Sequence, residues 1–399
     1  MALLSVEEAL ARILAKARVL DTEDVALIGL AGRVLAADVV ARLTQPPFDA
    51  SAMDGYAVRA GDVTALPATL NLIGESAAGH AFDGAVGPGQ TVRIFTGAPV
   101  PQGADAIVIQ ENTQADGTRI RVVEGSPDPV HIRRRGGDFS QGQSVLTKGH
   151  RLTARDILLA AATGHASLVC TRRPRVAILA TGDELVEPGQ TLRPDQIVSS
   201  NPYGLAAMLT AFGAEAILLG IARDTLDSLA EKLATAADAD ILITIGGASV
   251  GDHDLVIPAL KAAGMTLDFW KIAMRPGKPM IFGHREQQII LGLPGNPVSS
   301  MICARVFAVP LVMTMLGLPA EAAHPVPATL IAPLEANGPR AHYMRARRAG
   351  NNAAGVLPVS SQDSSLIAPL ATADCLIVRP ARAPALPAGA KVDTLPLDF

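Results

Sequence analysis

Aromatic side chains are scarce in this chain: one Trp, three Tyr and nine Phe make up 3% of 399 residues. Its cores must therefore be built from Leu, Val, Ile and Ala rather than from stacked rings. Cysteine is nearly absent. Cys170, Cys303 and Cys375 are too far apart for a disulfide framework or for paired zinc spacing, and a reducing, cytoplasmic compartment is expected. The chain has no long basic run and a net charge of −4, which argues against a nucleic-acid partner, since such proteins carry a basic face. It also lacks a charge-free apolar run of about twenty residues, so no membrane span is expected. The apolar start, MALLSVEEALARILAKARVL, is broken at helical spacing by Glu7, Glu8, Arg12, Lys16 and Arg18 and has no basic segment before it. It reads as a helix, not as a signal peptide. The eight histidines make no metal pattern, and no Ser–His–acid arrangement stands out.

What is present is a globular balance, 49% hydrophobic and 18% charged, in a chain long enough for roughly two to four domains. Ser5 and Glu8 have capping-box spacing, and apolar residues recur at helical spacing to about Leu20. A second apolar, Ala-rich segment runs from Gly29 to Val40, and Pro46-Pro47 then breaks the chain. From Ala57 to about Val123 short β-like runs, among them Thr91–Phe95, Ala106–Gln110 and Thr118–Val123, lie between Gly and Pro turns. Arg151–Thr163 returns to helical periodicity. Residues 1–45 plus 136–172 are thus expected to form one elongated domain, into which residues 46–135 insert a small β domain.

From Arg175 strands and helices alternate. Strand Val176–Ala180 is followed by helix Pro202–Phe212, strand Ala216–Ile221, helix Leu226–Ala237, strand Ile241–Ile245 and helix Leu255–Ala263. Strands near Thr266–Lys271, Met280–Gly283 and Ile289–Leu293 precede a long helix from Val298 to about Leu316. This order predicts a mostly parallel, doubly wound α/β sheet over residues 173–321. Ligands in such folds bind beyond the carboxyl ends of the strands. The Pro- and Ala-rich remainder, residues 322–399, with strand-like pieces such as Cys375–Arg379, reads as a separate small β domain. The fold class is multidomain α/β.

Three glycine-rich turns fall at those strand ends. In the first, Gly246-Gly247-Ala248-Ser249-Val250-Gly251-Asp252-His253-Asp254, glycines allow positive φ and close backbone approach, as a phosphate nest requires. Ser249 can add a hydroxyl donor, and Asp252 and Asp254, two apart, can address one cation. The second, Thr181-Gly182-Asp183-Glu184-Leu185, sets two acids after a buried strand, and carboxylate oxygens suit a hard cation such as Mg²⁺. The third, Leu293-Pro294-Gly295-Asn296-Pro297, opens a helix with Asn296 at the N-cap and Pro297 at the first helical position, and the orphan N–H groups there form an anion site. Arg275-Pro276-Gly277-Lys278-Pro279, with Lys271 four residues ahead, gathers cations fit to neutralise an oxyanion. The first half holds further turn-rich polar stretches. They are Pro46–Val58, which contains Asp54; Ile94–Pro101, which contains Thr96; and Arg133–Asp138. Each turn has a plainer reading, as a capped helix start or as solvated loop acids and bases.

Together these segments closely resemble the molybdopterin molybdenumtransferase family, the MoeA type that is also the E domain of gephyrin. The resemblance covers nearly the whole chain through eight ordered motifs: PPFDASAMDGYAV, IFTGAPVPQGADAIVIQE, RRRGGDFSQG, ATGDEL, SSNPYGL, GGASVGDHD, RPGKP and LGLPGNPVS. The resemblance implies a Mg²⁺-dependent enzyme that inserts molybdate into adenylylated molybdopterin and releases AMP. It also implies a central MogA-like domain and a homodimer with its active site in the cleft between subunits. The molybdopterin adenylyltransferase is a candidate contact. By motif position, Asp54, Thr96, Glu184, Asp224, Asp254, Lys271, Arg275 and Lys278 match catalytic positions, with Glu184, Asp224 and Asp254 as metal ligands. Gly246, Gly247, Ser249, Gly251, Pro294, Gly295, Asn296, Pro297, Arg133 and Asp138 match the positions that bind the cofactor. Two departures stand out. Arg275 replaces a lysine found in some members, and Ser361-Gln362-Asp363-Ser364-Ser365 brings an acid and no glycine to a Gly/Ser-rich family turn.

Two rivals share parts of this pattern. An adenylyltransferase of the MogA type has the doubly wound domain but would lack residues 1–170, and its loop usually reads TGGTG. A non-catalytic cofactor carrier could keep the fold but would not need the acids named above.

Overall fold

Helix α1, Val6–Leu14, starts where Ser5 Oγ accepts the Glu8 N–H at 3.1 Å. Only half of the capping box forms, because the Glu8 carboxylate turns instead to Arg12 at 2.7 Å. The helical spacing read to about Leu20 also ends early. The Leu20 N–H donates to the Met315 carbonyl at 2.9 Å, so its backbone is committed to a distant helix while its side chain still enters the core. The computed structural model describes residues 3–125, 131–247, 255–320, 325–349 and 355–397. The chain divides into two units, residues 24–31 with 37–169, and residues 1–23, 32–36 and 170–399.

The first unit is built on a six-stranded mixed sheet. Its strands are β1 (Gly55–Val58), β2 (Ala68–Ser76), β3 (Gln90–Ile94), β4 (Ala106–Ile109), β5 (Thr113–Asp116) and β6 (Arg119–Val122). Their order is β4-β1-β3-β2-β6-β5. Strand β1 is buried along its whole length, and at Gly55 a Cβ would stand 2.1 Å from the Val108 carbonyl oxygen of its neighbour. Tyr56, Val58, Leu70, Val108, Ile120 and Val122 fill one core of this unit. Helix α2, Ala154–Ala162, closes a full capping box between Thr153 and Asp156.

The second unit holds the expected doubly wound α/β domain. Strand β7 (Arg175–Thr181), helix α3 (Asn201–Ala211), strand β8 (Glu215–Ala222), helix α4 (Leu226–Thr235) and strand β9 (Ile241–Ile245) come first. Helix α5 (Val256–Ala262) and strands β10 (Thr266–Lys271), β11 (Met274–Arg275), β12 (Pro279–Arg285) and β13 (Gln288–Leu293) follow. The sheet order is β8-β7-β9-β13-β12-β10, with β8, β7, β9 and β13 parallel. Side chains alternate across a strand. Val176 and Ile178 therefore pack toward α3 through Leu205 and Met208, while Ala177 and Leu179 face Leu229, Leu233 and Leu260 of α4 and α5. Helix α6, Pro297–Met315, is long and apolar enough to cross a membrane by composition, but 89% of its apolar window is buried inside this domain. It is a core helix, with one π turn at Ala304–Ala308.

Strands β14 (Val326–Leu330), β15 (Ala341–Ala349) and β16 (Gly355–Pro358), helix α7 (Ile367–Ala371), and strands β17 (Cys375–Arg379) and β18 (Lys391–Pro396) form the C-terminal β domain. The order β11-β15-β16-β14-β18-β17, with β17 also paired to β15, closes the sheet into a barrel.

Candidate active site

Backbone crowding draws the strand ends of the α/β domain together. Gly246, at φ +97°, donates its N–H to the Leu293 carbonyl at 3.1 Å. A Cβ on Gly246 would stand 2.7 Å from the Thr181 carbonyl oxygen, and one on Gly295 would lie 3.7 Å from the Gly246 Cα. The turns after β7, β9 and β13 thus meet backbone to backbone around a cavity of about 860 Å³. Gly246, Gly247, Pro294, Gly295, Asn296 and Pro297 line it, and so do Glu184 and Asp224. The Asp183 carboxylate accepts the Asp224 N–H at 3.3 Å, and the Arg223 guanidinium donates to the Asp183 carbonyl at 3.2 Å. These bonds fasten the loop after β8, which carries Asp224, to the loop after β7, which carries Glu184. Ser249, Gly251 and Asp254 lie outside the described residues, as do Asp252 and His253. Among the described residues no three His, Cys, Asp or Glu side chains gather as a metal cluster.

The start of α6 differs from the capped anion site expected there. Asn296 occupies the N-cap, but its side chain makes no cap and donates to Ser364 Oγ at 3.1 Å. Pro297 has no N–H, and the Val298 N–H is taken by the Ser364 carbonyl at 3.1 Å. The barrel segment 361–366 therefore lies against this helix end and takes one of its first N–H groups. Arg345, 1% exposed, holds that segment by donating to the carbonyls of Ser361, Asp363 and Leu366 at 2.8–3.0 Å. Ser200, Asn201, Ser365 and Ile367 also line the cavity; the sequence marked SSNPYGL and Ser361–Ser365 as segments but assigned none of these residues to the site. Asn201 Nδ2 donates to the Gly295 carbonyl at 2.7 Å, tying α3 to the third turn. The available signal was SSNPYGL, a polar pair and an Asn directly ahead of a helix-starting proline.

The cations stand farther along the same sheet edge. Strand β12 runs antiparallel to β13, and β10 antiparallel to β12, with Lys271 opposite Pro279. Lys271 ends β10 and Lys278 precedes β12, so both fall beside the carboxyl ends of the parallel strands. Ile272 and Met274 are fully buried, whereas Arg275 and Lys278 are exposed. Gly277, at φ +107°, seats the turn directly on α6, where a Cβ would lie 2.3 Å from Cys303 Sγ. Burial pushes that thiol up to about 12, so Cys303 stays protonated packing. His342 sits opposite Arg275 in the β11–β15 pair. Burial, then the charges of Arg275, Arg340, Arg345 and Arg379, hold it down at about 4, a sign of the positive field on this flank. Neighbouring strands lie about 4.8 Å apart, which separates the acid loops of β8 and β7 from the cation turns of β12 and β10 by roughly 14–24 Å along the sheet.

In the other unit, Asp54 and Thr96 meet. The Asp54 carboxylate accepts the Thr96 N–H at 2.8 Å and its hydroxyl at 2.9 Å. The Thr96 amide, then its hydroxyl, and more weakly the Arg93 charge hold Asp54 below the usual carboxylate range. Arg93 braces this loop by donating to the Gly55 carbonyl and to Gln110 Oε1, and it lies over the Tyr56 and Phe95 rings. Arg133 is exposed in a short pairing with Ala50. The Asp138 N–H donates to the Gln45 carbonyl at 3.0 Å.

A doubly wound domain with a large glycine-edged cavity at its strand tips, lined by Glu184 and Asp224, with Lys271, Arg275 and Lys278 outside that lining on the same sheet edge, defines an α/β ligand-binding domain. The comparisons narrow the class. Family models match residues 4–164 as the MoeA N-terminal region (domains I and II), residues 177–314 as "Probable molybdopterin binding domain", and residues 327–397 as the MoeA C-terminal region (domain IV). A molybdopterin molybdenumtransferase of Nostoc sp. is 40% identical over 306 residues, covering 75% of this chain and 70% of its own. One of Bacillus subtilis is 34% identical over 393 residues, covering 94% and 90%. The crystal structure of a molybdopterin biosynthesis MoeA protein from Pyrococcus horikosii matches with a TM-score of 0.86 at 28% identity, over 100% of both chains. The chain belongs to the MoeA family. It is a transferase enzyme of molybdenum cofactor biosynthesis.

Proposed function

We propose that this transferase inserts molybdate into adenylylated molybdopterin, releasing AMP and forming molybdenum cofactor in a Mg²⁺-dependent reaction. The observation that carries this reading is the division of charge along one sheet edge. A ligand with a pyrophosphate at one end and an oxyanion to receive at the other needs such a division. Charges brought to contact repel by about 1 kcal/mol per pair in water and several-fold more at an effective dielectric near 20. Lys271, Arg275 and Lys278 offset that repulsion for molybdate. Gly246, Gly247 and the turn Pro294–Pro297 present a close-approach backbone to the substrate.

Glu184 and Asp224, which both line the cavity, fit Mg²⁺, which is typically held by one or two carboxylates plus substrate phosphates and waters; Asp254 is the third ligand proposed. When bound, the ion supplies charge neutralisation and polarisation of the pyrophosphate. In the overall reaction the phosphoanhydride P–O bond breaks as a water oxygen adds to phosphorus and AMP leaves. The two dithiolene thiols form Mo–S bonds as one molybdate oxygen leaves as water with their two protons, and molybdenum keeps its oxidation state. The protein is proposed to act in the cytoplasm as a homodimer in which Asp54, Thr96, Arg133 and Asp138 serve the site from the second protomer. A direct contact with the molybdopterin adenylyltransferase is also proposed. Glu184→Gln and Asp224→Asn test the reading. Each should lower AMP release from adenylylated molybdopterin about 100-fold or more at saturating molybdate, a loss typical of electrostatic groups at a reacting centre. Rates near wild type in both would remove Glu184 and Asp224 from the mechanism.

A further inference from the structure

Trp270 is the only tryptophan of the chain. It sits on β10, the outer strand of the α/β sheet. Neighbours on a strand normally point to opposite faces, which would part Trp270 from Lys271. The register of β10 against β12 slips between Phe269 and Lys271, and irregularities of this kind re-aim side chains. The Lys271 ammonium accordingly lies over the indole, 3.7 Å from the ring centroid. Phe269 is 7% exposed and supplies the core contact of this strand, while Trp270 remains 37% exposed. The ring is therefore not spent on the core, and much of its face meets a charged neighbour.

We propose that Trp270 is a positioning residue, whose indole holds the Lys271 ammonium at the sheet edge so that this charge is fixed before the oxyanion arrives. The inference rests on the reading of Lys271 as an oxyanion contact. Lysine is a flexible point charge, and an exposed cation–π contact shifts its occupancy by about 2- to 5-fold. The benefit appears in oxyanion affinity and not in the chemical step.

The test uses the full chain, with molybdate as the probe and sodium chloride at matched ionic strength as the control. Because there is one indole, its emission reports the contact directly. Wild-type emission should change saturably with molybdate, and that of Lys271→Met should not. In molybdate-dependent AMP release, Trp270→Leu should raise the KM for molybdate about 2- to 5-fold with kcat unchanged. Trp270→Phe, which keeps a ring, should recover part of that loss. In the Lys271→Met background, Trp270→Leu should add nothing. Silent wild-type emission, an unchanged KM in Trp270→Leu, or an equal KM rise in both backgrounds would overturn the proposal. If the wild type releases no AMP, the reaction proposed above fails by itself, and the emission titration still decides the coupling of Trp270 to Lys271.

Discussion

Gly277 is where the cation turn depends most on a missing side chain. Its φ of +107° and the 2.3 Å approach of a Cβ to Cys303 Sγ give Gly277→Ala two separable costs. The backbone conformation costs an L-residue about 1–2 kcal/mol, and forcing a methyl against a packed sulfur costs about 1–3 kcal/mol. The variant should therefore lose about 2–5 kcal/mol. Cys303→Ala removes the obstructing sulfur and leaves the backbone cost. The double variant should thus be more stable than the sum of the two single losses by about 1–3 kcal/mol. Urea unfolding followed by the emission of Trp270 reads this locally, because the indole lies on the same sheet. Movement of the turn also displaces Arg275 and Lys278, and a shift of about 1 Å can cost on the order of 100-fold in rate. Strict additivity of the two substitutions, or a Gly277→Ala loss under about 0.5 kcal/mol, would refute the crowding argument.

His342 makes the domain sensitive to acid. Its folded-state value of about 4 lies below the ordinary 6.5, so between these values the unfolded chain binds a proton that the folded chain does not. Stability is full above about pH 6.5 and falls by up to roughly 3 kcal/mol as pH drops toward 4; His342→Gln should flatten that decline in urea midpoints taken across pH. Asp54→Asn should lower AMP release by orders of magnitude while leaving the fold intact by circular dichroism, and a rate near wild type would discard its role.

The doubly wound sheet was readable because its central strands are short apolar runs between glycine turns and helical patterns. Ile241–Ile245 and Cys375–Arg379 fall where expected to the residue. Glu184 and the glycines were readable because a strand end followed by Gly and an acid has few structural uses, whereas Asp224, after Ala222-Arg223, came only from the family resemblance. What escaped was set by contacts remote in sequence. Nothing near Val298 announces that the Ser364 carbonyl, 66 residues away, takes its N–H. Leu20 has helical spacing, yet its backbone serves Met315. Asn201 and Ser365 reach the cavity through packing of α3 and of the barrel segment that Arg345 anchors. The register slip that brings Lys271 over Trp270 belongs to the pairing of two strands and leaves no mark in either one.

The most direct measurement is AMP release from purified adenylylated molybdopterin, followed as molybdate and Mg²⁺ are each varied, with ATP omitted. The account predicts release that saturates with molybdate, requires the divalent ion and matches molybdenum retained on the pterin. Tight pterin binding without AMP release, or adenylylation of free molybdopterin by ATP in the absence of molybdate, would contradict it.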